Sequence, residues 1–202
     1  LHLQLRLLSL RRQADVHGAG HGPHQCLHLV RQGIQSLDVG SLELQLNGLL
    51  IAERTGRAPW KSTDRPALAI SSCGNAAIAA STLARAVDWP IDVFIPEWAG
   101  GNVVATLDAL GARIARCPRR DDDPPGDPTV LRFREAVARG AIPFSVQGPE
   151  NALCLDGGRT FGWELAESLR ADGINGVDAL FVQVGGGAFA ASVSRGAREG
   201  GL

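Results

Sequence analysis

Two loops in this chain carry residue types and spacings that do chemistry. Ser71-Ser72-Cys73-Gly74-Asn75-Ala76-Ala77 sets hydroxyls, backbone N–H groups and a carboxamide after an apolar run and before a helical stretch. Val184-Gly185-Gly186-Gly187-Ala188-Phe189 repeats the arrangement with three consecutive glycines. A strand that turns through such residues into a helix aims free N–H groups and the positive end of a helix dipole at one point, which favours an anion. Two such loops in one domain point to a phosphorylated ligand held between them. Chemistry that needs an amine side chain has a single source, Lys61.

The triple glycine has three readings. Gly185, Gly187 and Ala190 satisfy G-x-G-x-x-G/A between a strand and a helix, the pattern that seats a dinucleotide pyrophosphate. Three glycines in a row equally let backbone amides wrap a lone phosphate monoester. The bland reading is a tight strand–helix turn with no ligand. The Ser71 loop suits a carboxylate or a ring hydroxyl better than a second phosphate. Ser and Asn are good helix caps in any case, but capping alone does not call for Gly74 beside them.

The elements that must position these loops follow from the apolar pattern. At 202 residues and 45% hydrophobic, the chain can bury a good-sized core. Ala67–Ser71, Asp92–Pro96, Ala112–Arg116, Ile142–Val146 and Ala179–Val184 read as strands. Asn75–Val87, Val103–Leu110, Thr129–Arg139, Thr160–Ala171 and the stretch from Ala188 read as helices. Strands alternating with helices give a mostly parallel sheet covered on both faces, an α/β fold in three α/β/α layers. Ligands in such sheets bind at the carboxyl ends of strands, where both loops fall.

Residues 1–50 form an atypical segment, expected to be poorly ordered or non-native, and 51–202 a partial ligand-binding α/β domain. All five histidines lie in the first segment, and His17, His21, His24, Cys26 and His28 invite a metal reading. That tract is Gly-rich, contains Pro23 and lacks a second cysteine cluster, so no metal site is expected. Asp121-Asp122-Asp123, beside two prolines and a glycine, reads as a solvated loop. A net charge of −1 gives no case for nucleic acid or an anionic membrane, and no stretch approaches the roughly 20 apolar residues of a membrane span. Four scattered cysteines read as reduced thiols in a cytoplasmic protein. The absence of Met and the abrupt end at Leu202 suggest a fragment of a longer gene.

The motifs in order resemble a known family. Ser71-Ser72-Cys73-Gly74-Asn75, Pro90–Pro96, Leu107–Ala112, Asp156-Gly157-Gly158-Arg159-Thr160 with Glu164, and Gln183–Ala188 are similar to fold-type II pyridoxal-phosphate enzymes. The nearest branch is threonine synthase-like, with threonine dehydratase and tryptophan synthase β-like relatives. The resemblance implies pyridoxal 5'-phosphate as cofactor, an amino-acid substrate, and β- or γ-elimination or replacement. It assigns Asn75 to the cofactor's ring hydroxyl, and Gly185, Gly186, Gly187 and Ala188 to its phosphate. Ser71, Ser72 and Gly74 fall to the substrate carboxylate. A homodimer is implied for the full-length protein.

The departures are specific. The family's lysine lies about 25 residues before the Ser71 loop, and the window 40–48 contains none. Lys61, ten residues before Ser71, is the one candidate, against a solvated loop lysine. Cys73 interrupts the usual S-S-G-N. The fragment is therefore expected to lack turnover by itself. The alternatives are a non-catalytic phosphate- or dinucleotide-binding domain, and a gene product read out of frame that does not fold stably.

Overall fold

The computed structural model describes residues 40–147, 150–182, 184 and 187–202. The His/Cys tract and the alternating leucines at the amino end lie outside the described residues. Helix α1 covers residues 40–54. Then come β1 (Leu68–Ser71), α2 (Asn75–Ala86), β2 (Ile91–Ile95), α3 (Gly101–Ala109), β3 (Arg113–Arg116) and α4 (Pro128–Ala138). A two-residue β4 (Ile142–Pro143) and the helices α5 (Leu153–Ala171) and α6 (Ala188–Glu199) complete the order.

The four strands form one parallel sheet in the order β3-β2-β1-β4. Leu68 pairs with Ile91 and with Ile142, and Asp92 pairs with Arg113, so the strands start almost level. Parallel strands buried on both faces need apolar residues in succession, and β1 is buried along its whole length. Alternate side chains serve opposite faces. Leu68, Ile70, Val93 and Ile95 join Ala77, Ala80 and Ala84 of α2 and Leu107 of α3 in the larger core. Ala69 and Phe94 meet Phe133 and Ala136 of α4 on the other side. The three-layer α/β/α arrangement expected from the alternation is the one observed.

Three expected elements differ. Of the run Ala179–Val184, the described residues 179–182 and 184 form no strand: Phe181 is 95% exposed and Val184 is also open to solvent. An extended segment becomes a strand only by exchanging hydrogen bonds with a neighbour, and the described residues offer this one none. The strand expected over 142–146 is laddered to β1 only at Ile142 and Pro143, and the proline sits where an edge strand needs no N–H. Phe144 then donates its N–H to the Ala69 carbonyl (2.8 Å) and is fully buried. The helix expected from Thr160 begins seven residues earlier, at Leu153. It takes in Asp156–Thr160, where Asp156 and Arg159 pair at 2.8 Å one turn apart.

The expected boundary at residue 50 falls inside α1. Leu42 and Leu46 of this helix are buried in the larger core. Ser41 donates to the Cys154 carbonyl (3.1 Å), Gln45 donates to the Ser145 carbonyl (2.9 Å), and Asn151 donates to Gln45 (2.7 Å). A Cβ on Gly157 would stand 2.8 Å from Ser41 Cα. Gly157 thus lets α1 and α5 approach backbone to backbone.

Candidate ligand site at the carboxyl end of the sheet

β1 ends at Ser71, and three residues later α2 begins at Asn75. Gly74 is the N-cap, in extended backbone with no side-chain cap. Ala77 N–H and Ile78 N–H return to the Gly74 carbonyl at 3.1 and 3.3 Å. The Asn75 side chain is exposed, and among the described residues it has no hydrogen-bond partner. An unused carboxamide on the first turn of a helix is a ready donor to an oxygen-bearing ligand.

The other residues of this loop divide between ligand and scaffold. Ser71 is buried, and its hydroxyl donates to Thr129 Oγ1 (2.8 Å). Thr129 in turn donates from N–H and hydroxyl to Asp127, the N-cap of α4 (both 2.8 Å). The Ser71 hydroxyl therefore ties the end of β1 to the start of α4. Ser72 is half-buried, and its hydroxyl accepts from Gly74 N–H (3.4 Å). Cys73, the extra residue of the turn, packs against the larger core.

Of the second loop, Gly185 and Gly186 lie outside the described residues. Gly187 caps α6 in the left-handed region (φ 86°), where a side chain would be strained. Ala188 opens the helix, and Ala191 N–H bonds the Gly187 carbonyl (3.0 Å). Among the described residues, no hydrogen bond joins this loop to Ser71–Asn75.

Lys61 is not brought to the loops. Its neighbour Trp60 packs edge-on against Trp89, with ring centroids 6.1 Å apart. Trp89 donates its indole N–H to the Pro66 carbonyl (2.8 Å), and Leu68 N–H bonds the Pro90 carbonyl (2.8 Å). All of these stand where β1 and β2 begin, whereas Ser71–Asn75 stands where β1 ends. The four residues of β1 alone span about 13 Å at the usual rise per residue. Arg65 locks the same edge, pairing with Glu53 at 2.6 Å, and its guanidinium holds the Glu53 carboxyl below the usual range. The window 40–48, where the resemblance places a lysine, is the start of α1. It shows Glu43, Leu44 and Asn47 to solvent, so it offers a carboxylate and an amide but no amine.

Two features escaped the sequence. Asp123, expected in a solvated loop, has a side chain only 3% exposed and bonded to Arg132 of α4. The Arg120 N–H first, and Arg132 after it, hold its carboxyl below the ordinary value. The second is a glycine contact between α5 and α6: a Cβ on Gly162 would stand 2.6 Å from the Val193 carbonyl, and one on Gly196 would collide with the Arg159 carbonyl. Small residues one turn apart were the only available signal. Among the described residues, no three His, Cys, Asp or Glu side chains are grouped to hold a metal. No described helix is long and apolar enough to cross a membrane.

A family model described as pyridoxal-phosphate dependent enzyme matches residues 44–202. No curated protein sequence matches the chain. Among solved structures, a hydrogen sulfide-producing enzyme from Fusobacterium nucleatum superposes with a TM-score of 0.65 at 16% identity, covering 82% of this chain and 47% of that one. Diaminopropionate ammonia lyase from Escherichia coli gives 0.59 at 19%, covering 81% and 46%. A pyridoxal 5'-phosphate-dependent aspartate racemase gives 0.57 at 18%, covering 82% and 45%. The chain spans less than half the length of these structures.

Proposed function

The chain belongs to the pyridoxal-phosphate-dependent enzymes, and from that premise we propose that it forms the ring- and phosphate-binding part of an amino-acid lyase or synthase. The observation that carries this is the unpartnered Asn75 carboxamide on the first turn of α2, at the carboxyl end of a parallel sheet. Asn75 would hold the ring hydroxyl. Gly185, Gly186, Gly187 and Ala188 would hold the phosphate at the start of α6. Ser72 and Gly74 would face the substrate carboxylate, with Ser71 setting the loop through Thr129.

When bound, pyridoxal phosphate supplies an electron sink for bonds broken next to an amino-acid nitrogen. The donors present fit the ring and phosphate, but the amine does not fit: Lys61 lies at the other end of the sheet. No proton transfer is therefore assigned to it, and binding is expected to be non-covalent. The threonine synthase-like reaction, elimination or replacement at the β or γ carbon, rests on the order of motifs along the chain. A cytoplasmic setting and a homodimer of the full-length protein belong to the same reading. The position of Lys61 also favours the alternative, a phosphate- or dinucleotide-binding domain without turnover.

The test is pyridoxal phosphate retained by purified protein after gel filtration, with and without borohydride, in the wild type, Asn75→Ala and Lys61→Ala. Retention that Asn75→Ala abolishes, that borohydride fails to fix and that Lys61→Ala leaves intact supports the proposal. A borohydride-fixed cofactor lost in Lys61→Ala would instead make Lys61 the anchoring amine. No retention would leave the loops without a cofactor role.

A further inference from the structure

On the α4 side of the sheet, at its β3 edge, lies a cleft of about 470 Å3. Its floor includes Phe94, Ala115 and Cys117, and its rim carries Arg116, Arg120, Arg132 and Arg139 against a single carboxylate, Glu135. The Ser71–Asn75 loop opens α2, which packs on the other face of the sheet. None of Ser71–Asn75 lines the cleft.

Arg132 is the informative residue. It is only 7% exposed, and its Nη2 bonds Asp123. Its Nε and Nη1 make no hydrogen bond. Glu135 Oε1 stands 3.2 Å from Nη1, close enough to pair in charge but without hydrogen-bond geometry. The same carboxylate is also approached by Arg120 (3.8 Å) and Arg139 (3.9 Å). Buried guanidinium donors without acceptors are costly, and three guanidiniums, Arg120, Arg132 and Arg139, against two carboxylates, Asp123 and Glu135, leave positive charge uncompensated. An incoming oxyanion relieves both. Guanidinium forks match phosphate oxygens two at a time, and the apolar floor leaves room for an organic group beyond the anion.

We infer that this cleft binds a phosphorylated small molecule, with Arg132 as the buried donor and Arg120 and Arg139 closing over the phosphate. The probe is inorganic pyrophosphate, followed by equilibrium dialysis at low salt. Saturable uptake of one ion per chain is expected. It should weaken about tenfold or more in Arg120→Ala/Arg139→Ala, the order expected when charged partners of an anion are removed. Both side chains are largely exposed, so the double variant is expected to keep the wild-type unfolding temperature. Arg132→Gln should abolish uptake, and Asn75→Ala should leave it unchanged. Absence of saturable uptake, or uptake indifferent to the double variant, overturns the inference. So does equal loss in Asn75→Ala, which would place the ion at the Ser71 loop. Displacement by citrate at lower concentration than by a phosphate ester would overturn the phosphate assignment.

Discussion

The sheet with α2, α3 and α4 is held by side chains, whereas α5 and α6 are held by the lack of them. In the first region Leu68, Ile70, Val93, Ile95, Phe133 and Phe144 fill the space between layers. In the second, Gly162 and Gly196 bring two helices so close that a Cβ on either would strike backbone. An aliphatic core tolerates repacking at moderate cost, because neighbouring side chains can shift. A backbone-to-backbone contact has nothing to shift. The surfaces differ as well: the first region leaves Trp98 open to solvent, while Leu180, Phe181 and Val184 are all open just before α6.

The largest effect should come from the first region. Phe133→Ala removes a nearly fully buried ring between β2 and α4 and should cost about 3–5 kcal/mol in urea unfolding. Gly196→Val should cost about 1–3 kcal/mol, read by hydrogen exchange as lost protection confined to α5 and α6. Loss spreading equally into β1 and β2 would mean the two regions open as one unit, which would break the contrast. Asp127→Ala should cost about 1–2 kcal/mol, since Asp127 caps α4 and accepts the Thr129 hydroxyl that fixes Ser71. A thermal melt of that variant beside Ser71→Ala tests whether the loop is set through α4.

The smallest effect sharpens the comparison at the join between α1 and α5. Burial pushes the Cys154 thiol up from 9.0 to about 11. The folded state therefore keeps its proton where the unfolded chain loses it. The resulting stability is fully present below pH 9 and lost as pH rises from about 9 to 11. At pH 10 the loss should be roughly 1 kcal/mol, and Cys154→Ala should flatten that part of the profile. At pH 8, iodoacetamide should label the half-buried Cys73 before Cys117 and Cys154, with Cys26→Ser as the background. Equal rates at all three would mean that both α5 and the β3 edge open readily.

Much of the sheet was legible because a parallel strand buried on both faces leaves an unbroken apolar run, as in Leu68-Ala69-Ile70, and the following helix begins at Gly-Asn. The loops were legible for the same reason: only small and polar residues turn a strand into a helix within three positions. Ala179–Val184 carries an equally good run, yet its described residues form no strand, because pairing depends on a neighbour that no local pattern names. Asp156–Thr160, one of the segments that carry the family resemblance, was expected before the helix and lies within it, since glycine spacing does not distinguish a loop from a close helix contact.

The sequence by itself determined the α/β layering, the two glycine-bearing turns, the lone lysine and the family. The layering, the turns and the lysine follow from periodicity, composition and residue type, which are local; the family rests on the resemblance of its motifs in order. Only the tertiary structure decided that Lys61 stands at the amino end of the strands while Asn75 stands at the carboxyl end. It alone showed that the Ser71 hydroxyl belongs to Thr129, and that Arg132 is buried with donors to spare. Each of these depends on which residues distant in sequence share one end or one face of the sheet, and chain order carries no record of that until the strands have paired.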